Sequence, residues 1–321
     1  MMSDENKFIP PHTLNTAVLF LVFNRLDTTK QVFEAIRQAK PPRLYIAADG
    51  ARTSKEGEAE KVQLVRDYIT QNIDWDCEVK TLFREKNLGC KYAVSGAITW
   101  FFENEEQGII LEDDCLPSQS FFWFCECLLE TYKNDLRVWH IGGVSTIPNS
   151  IISNDDSYYF SALNHIWGWA SWKNRWEKYD VDIVNFPEYK ENENIKDVFN
   201  RKLWQKFWLS NFEGVYSKKI DTWDYQWCFA TWANRGISIV PTVNLIANIG
   251  FGADATHTTE SDAKMSNRAK KEMQIPITHP STIRINKKYD EYNFKYLFEI
   301  SYFSLFLNGF KKQLKKILRF N

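Results

Sequence analysis

Between residues 17 and 114 this chain alternates short apolar runs with helical patterns four times, and that alternation leaves few folds open. AVLFLVF (residues 17–23), RLYIAADG (43–50), CEVKTLF (77–83) and GIILEDD (108–114) are all of strand length. The first is continuously apolar, the mark of a strand buried on both faces. TKQVFEAIRQA, GEAEKVQLVRDYITQ and LGCKYAVSGAITWFFE lie between them, with apolar residues at helical spacing. Asp27 and Thr28 read as a helix start, and Pro41 and Pro42 stop that helix. Repeated strand and helix predict an α/β fold, with a mostly parallel sheet flanked by helices. Ligands of such sheets bind outside the carboxyl ends of the strands.

Three strand ends carry polar residues suited to a ligand: Asn24-Arg25, Asp49-Gly50-Ala51-Arg52 and Glu112-Asp113-Asp114. The triplet is the most informative. Adjacent acids repel unless a cation neutralises them, and the triplet has no basic neighbour in sequence. Clustered carboxylates are hard oxygen ligands that suit Mg²⁺ or Mn²⁺, with a substrate diphosphate completing the shell. The plain alternative is a solvated strand end. Arg25 offers a forked donor to phosphate oxygens, or else makes a surface ion pair. Asp49 accepts from a nucleobase edge, or else is a turn residue in Asp-Gly.

Composition narrows the function. The chain has 321 residues, 44% of them hydrophobic and 25% charged, enough apolar mass for a sizeable core. Lys+Arg 40 against Asp+Glu 41 leaves a net charge of -1, so no global basic field points to nucleic acid. Six cysteines without a CxxC predict reduced thiols in a cytoplasmic protein. The start MMSDENKFIPPHTLN lacks the pattern of a signal peptide, and no apolar stretch is long enough to span a membrane. Aromatics reach 16%, with 13 Trp, which predicts a surface or cleft that stacks flat rings, sugars or bases.

The organisation reads as a loose leader (1–15), a nucleotide-binding Rossmann-like half (16–150), an acceptor-side half (151–260) and a C-terminal helical segment (261–321). SFFWFCECLLETY reads as a helix with Phe121, Phe124, Cys125, Leu128 and Leu129 on one face. Residues 158–179 and 204–232 are dense in aromatics, and KENENIKDVFN between them reads as a polar linker. Most of these Trp residues are expected in a core, with Trp167 or Trp223 touching ligand. His140 and His165 read as structural. Residues 250–259 read as a lid in which His257 donates to phosphate or completes a metal shell. The last helix sets Lys311, Lys312, Lys315, Lys316 and Arg319 beside apolar residues, the pattern of a segment lying on the inner membrane surface.

In order along the chain, VFNRLDTTKQVFEAI, ADGAR, FREKNLG, GIILEDDCLPSQSFFWF, IWGWASWKNRW and TWDYQW resemble a GT-A fold glycosyltransferase. The likeness is to the inverting N-acetylglucosaminyltransferase I family and its bacterial relatives of surface-polysaccharide synthesis. It covers roughly residues 16 to 260. It implies that Asp114 is the direct metal ligand, with Glu112 and Asp113 nearer the sugar and ribose. It implies that Arg25 and Asp49 hold the nucleotide and that Asp224 is the catalytic base. Asp221 competes for that role, and an N-cap or a rim salt bridge is the plainer reading of Asp224. Tyr225 departs from the family, which has a second acid there. The implied activity is metal-dependent transfer of a sugar from a nucleoside-diphosphate donor, UDP by resemblance, to a glycan or lipid-linked glycan hydroxyl. A sugar nucleotidyltransferase is the rival, but it needs a glycine-rich phosphate loop, and VFNRLDTT has no glycine. A non-catalytic carbohydrate-binding protein does not need three aligned acids.

Overall fold

The computed structural model describes residues 8–148, 150–153, 155–250 and 268–296. The sequence-predicted lid from residue 251 onward, His257 and the basic C-terminal helix lie outside the described residues.

The first half follows the expected alternation: β1 (Val18–Val22), α1 (Leu26–Ala39), β2 (Arg43–Ala48), α2 (Glu58–Gln71), β3 (Glu78–Phe83), α3 (Gly89–Asn104) and β4 (Gln107–Glu112). Every residue of β1 is buried. Val18, Phe20 and Val22 enter one core and Leu19 and Leu21 the other, because successive strand residues face opposite sides. Each such side chain contributes about 1.5–3 kcal/mol by leaving water. Helix α1 buries Val32, Phe33, Ile36 and Ala39 at helical spacing. It ends where Lys40 turns left-handed (φ 51°) and donates its N–H to the Ile36 carbonyl, just before Pro41 and Pro42.

The second half adds β5 (Cys115–Pro117), α4 (Ser120–Tyr132), β6 (Val138–Gly142), β7 (Tyr158–Ser161), β8 (Trp169–Trp172) and α5 (Lys173–Trp176). Then come α6 (Phe186–Glu191), α7 (Ile195–Val198), α8 (Lys202–Tyr216), α9 (Asp224–Ala233), β9 (Ile237–Pro241), β10 (Ile246–Asn248) and α10 (Lys287–Tyr296). One eight-stranded sheet runs β3-β2-β1-β4-β8-β6-β9-β7. Strands β3, β2, β1 and β4 are parallel, and β6 pairs in parallel with β9. Only β8 and β7 pair antiparallel to their neighbours in this sheet. The fold is α/β, with a mostly parallel, Rossmann-like sheet flanked by helices.

Three local expectations change. Helix α4 is buried on almost every side, Phe122 and Trp123 included, rather than on one face. Its far side is covered by chain segments: Phe8 packs on Trp123 at 5.4 Å, and the Trp123 indole donates to the His12 carbonyl. Glu272 accepts the first N–H groups of this helix, from Gln119 and Ser120. Thus Phe8 and Leu14 pack on the core within the expected leader, while residues 9–13 between them are exposed. The stretch 190–200 is not a plain linker. It carries the end of α6 and all of α7, because Ile195 and Phe199 join Tyr189, Trp204, Trp208, Phe212 and Trp232 in an aromatic core. The Trp cluster is mostly core, as expected, but Trp223 belongs to it: 2% exposed, it stacks on Trp169 at 6.1 Å.

Candidate functional site

The strand order reverses at β1. β2 and β3 lie on one side of it and β4 on the other, so the carboxyl ends of β1 and β4 face a crevice at the switch point. Arg25 leaves β1 there and Glu112-Asp113-Asp114 leave β4.

The cation that the lone triplet lacked in sequence is supplied by the fold. Arg25 donates through Nη2 to Asp113 Oδ1 and to Asp114 Oδ2, the latter at 3.0 Å. Asp113, 3% exposed, also accepts the Phe23 N–H at 3.3 Å. Burial works against the Arg25 charge, but the two carboxylates more than offset it and hold the guanidinium protonated. Burial pushes Asp113 up to about 6 despite Arg25. Glu112 is pushed up to about 8, first by burial, then by the Asp114 and Asp113 charges, with Arg25 opposing. The charge of Asp224 also reaches Glu112.

Asp224 opens α9, and its Oδ1 accepts from the Thr222 hydroxyl. The thiol of Cys90, in the first turn of α3, marks the convergence. It is pushed up to about 12 by burial, then by Glu112, Asp224, Asp221 and Asp49. Charges from β2, β4 and the start of α9, far apart in sequence, thus act together on the start of α3.

Asp49 has a definite local task. Its carboxylate accepts the Leu88 and Gly89 N–H groups and the Asn87 amide, each at 3.0 Å, and so caps α3 from the end of β2. Gly50 beside it is required, because a Cβ would overlap the backbone of Glu85 to Asn87. Asn24 and Arg52 converge on Glu58, the first residue of α2, which is 4% exposed. Glu58 accepts from the Asn24 amide at 3.0 Å, and from the Arg52 N–H at 2.7 Å and its guanidinium. Trp167 is part-exposed and packs against the core beside β4 and α4. His140 and His165 are both buried. His140 stacks on Trp169 at 5.1 Å, its Nδ1 accepts from Trp227, and burial lowers it to about 3.

Glu58 and Asn87 escape sequence reading, and Gly250, read as the first residue of a lid, has another place. Glu58 looks like an ordinary acid in a first helical turn. Asn87 sits inside the quoted FREKNLG without a signal of its own. Gly250 reaches the site only because β10 pairs with β5, which follows the triplet directly. Ile249 N–H donates to the Asp114 carbonyl at 2.8 Å, and a methyl on Gly250 would overlap the Asp114 carboxylate.

The acids fit a divalent cation in donor type, since all are carboxylates. Among the described residues no group of three or more His, Cys, Asp or Glu is arranged to hold a metal alone. A cation bound together with a diphosphate needs only one or two protein carboxylates. A cavity of about 1280 Å³ elsewhere, between residues 150–153, 201–204 and α10, shares no residue with this cleft. Among the described residues no helix is long and apolar enough to cross a membrane.

No protein-family profile matches the chain, and no curated protein matches it in sequence. Among solved structures it is similar to HddC from Yersinia pseudotuberculosis, at 12% identity over 51% of this chain and 80% of that one, with a TM-score of 0.31. It is similar to the glycosyltransferase GlyE in Streptococcus pneumoniae TIGR4, at 9% identity over 70% and 45% of the two chains, with a TM-score of 0.33. It is also similar to apo UDP-glucose pyrophosphorylase, at 8% identity over 72% and 93%, with a TM-score of 0.34. Likeness at this level concerns the arrangement of strands and helices and goes no further.

Proposed function

We propose that this chain is a metal-dependent, inverting glycosyltransferase that moves a sugar from a nucleoside diphosphate, UDP by resemblance, to a hydroxyl of a glycan or lipid-linked glycan. One observation carries the reading: Arg25 at the end of β1 pairs with Asp113 and Asp114 at the end of β4, next to the strand-order reversal, and the charge of Asp224 from the second half reaches Glu112 beside them. A cluster of acids around the buried Asp113 suits a cationic ligand shell, and a separate carboxylate suits proton removal.

Asp114 would hold Mn²⁺ or Mg²⁺, with Glu112 nearer the sugar. That ion, when bound, supplies Lewis-acid stabilisation to the leaving diphosphate. Arg25 presents a second positive charge to the phosphates from the end of β1. Asn24 and Arg52, fixed by Glu58, and Asp49, fixed against α3, form the nucleotide side of the cleft. Asp113 orients Arg25, and Trp167 walls the sugar side. Asp224 takes the proton of the acceptor hydroxyl as attack proceeds, which contributes about 10²–10⁴-fold. Attack from the Asp224 side, opposite the diphosphate, inverts the anomeric carbon.

The nucleotidyltransferase alternative is disfavoured by the turn after β1. It passes directly through Phe23, Asn24 and Arg25 into α1, with no glycine-rich loop to cradle a triphosphate. The test is a thermal-shift screen of nucleoside diphosphates and nucleotide sugars with and without Mn²⁺. A ligand at 100 times its dissociation constant should stabilise by about 2.7 kcal/mol. Asp114→Ala should abolish the metal-linked part of that shift. Asp224→Ala should keep it and lose transfer. Full turnover in both variants, or pyrophosphate release from a nucleoside triphosphate and a sugar phosphate, would refute the assignment.

A further inference from the structure

Helix α3 starts in the acidic cleft at Gly89 and Cys90 and runs away from it. Along its outer side lies an open groove of about 540 Å³ between α3 and residues 179–181. Tyr92, Thr99, Trp100 and Glu103 line one wall, and Tyr179 and Asp180 the other. From Tyr92 to Glu103 the helix rises about 16 Å at its ordinary pitch, room for more than one sugar ring.

The groove is joined to the proposed catalytic centre by covalent neighbours. The Tyr179 hydroxyl donates to the carbonyl of Trp223 at 3.1 Å, and Trp223 directly precedes Asp224. Tyr179 is held in place by stacking on Trp176 at 4.3 Å, and the Trp176 indole donates to the Thr99 hydroxyl at 3.0 Å. Both walls are therefore tied together and to the start of α9. Trp100 is anchored edge-on against Tyr45 at 5.2 Å. Tyr92 is 49% exposed.

The chemistry of the lining selects its occupant. Aromatic faces stack on the C–H faces of sugar rings, while hydroxyls and carboxylates accept and donate to sugar hydroxyls. No Lys, Arg or His lines the groove; Lys91, whose Nζ lies over the Tyr92 ring at 5.3 Å, is paired with Asp182 at 3.6 Å, and Glu103 and Asp180 repel anions. We infer that this groove is an acceptor subsite: it takes the non-reacting units of a neutral oligosaccharide and leads the terminal hydroxyl towards Asp224. The acceptor role rests on the transferase reading. Oligosaccharide binding by the groove does not.

The test is binding of the full chain to an array of neutral and sulfated oligosaccharides of one to six hexose or N-acetylhexosamine units. Neutral chains of several units should be retained, and single sugars and sulfated chains should not. Tyr92→Ala and Trp100→Ala should each weaken retention roughly fivefold to tenfold. Both should leave the Mn²⁺-dependent nucleotide shift unchanged. If Trp100→Ala does not fold, the exposed Tyr92→Ala decides. Absence of any neutral oligosaccharide ligand, retention of sulfated chains only, or binding indifferent to these substitutions would overturn the groove. Groove binding without any nucleotide shift in the wild type would leave the groove standing and remove the transferase. A nucleotide shift without length-dependent glycan binding would do the reverse.

Discussion

Among the described residues Arg25 bears on the site most, because it sets a positive charge against the buried Asp113 and the part-buried Asp114. Removing one partner of a buried ion pair leaves uncompensated charge and is costly. Arg25→Gln should therefore lower stability by roughly 3 kcal/mol, the low end for such pairs, since the guanidinium keeps some exposure. Mn²⁺ alone should then raise the melting temperature of the variant more than that of the wild type, because the ion supplies the missing charge. Melting curves with and without MnCl₂ check both statements, and a variant as stable as the wild type without metal would contradict the first. The ion pair itself was one of two readings open to Arg25 in sequence. Its partners were not, because they lie 88 and 89 positions away.

At the scale of elements, α10 shows how a late helix is fastened to the sheet. Asp290 accepts from the Ser161 hydroxyl and from the Ala162 N–H at 2.9 Å, tying α10 to the end of β7. Burial pushes Asp290 from its ordinary 3.8 up to about 6. The folded state thus holds this proton more tightly than the unfolded chain. Its contribution is fully present below the unfolded value and is lost as pH rises through about 6. Wild-type stability relative to Asp290→Asn should fall between those two values and level off above them. Urea titrations across that range measure the difference, and parallel curves would contradict the prediction. Element positions were largely legible. The apolar runs and the Pro41-Pro42 stop place β1, α1 and β2 within a few residues. α6 and α7 were not legible, since Ile195 and Phe199 are buried by partners on α8, α9 and α10 that a polar local sequence cannot announce.

At the scale of the molecule, one sheet joins both halves. β8 inserts between β4 and β6, and one core holds Val18, Phe121, Tyr158, Ile239 and Met273 together. The largest core draws on both halves, while the aromatic core around Trp208 and Trp232 lies within the second. Thermal unfolding should therefore follow one cooperative transition, with far-UV and near-UV circular dichroism changing together. Two separated transitions would show that the halves fold independently.

The alternation of strands and helices was determined by the sequence alone, because buried parallel strands must be apolar runs and their crossovers amphipathic helices. So were the polar strand ends, which the backbone direction places on one side of such a sheet. Pairing was decided only in three dimensions. The strand order puts Arg25 against Asp113 and Asp114, the β5–β10 ribbon lays Gly250 on Asp114, and the Asp224 charge at the start of α9 reaches Glu112. The physical reason is range. Hydrophobic period is written in neighbours a few residues apart, whereas charge compensation depends on distances that exist only after the chain has folded.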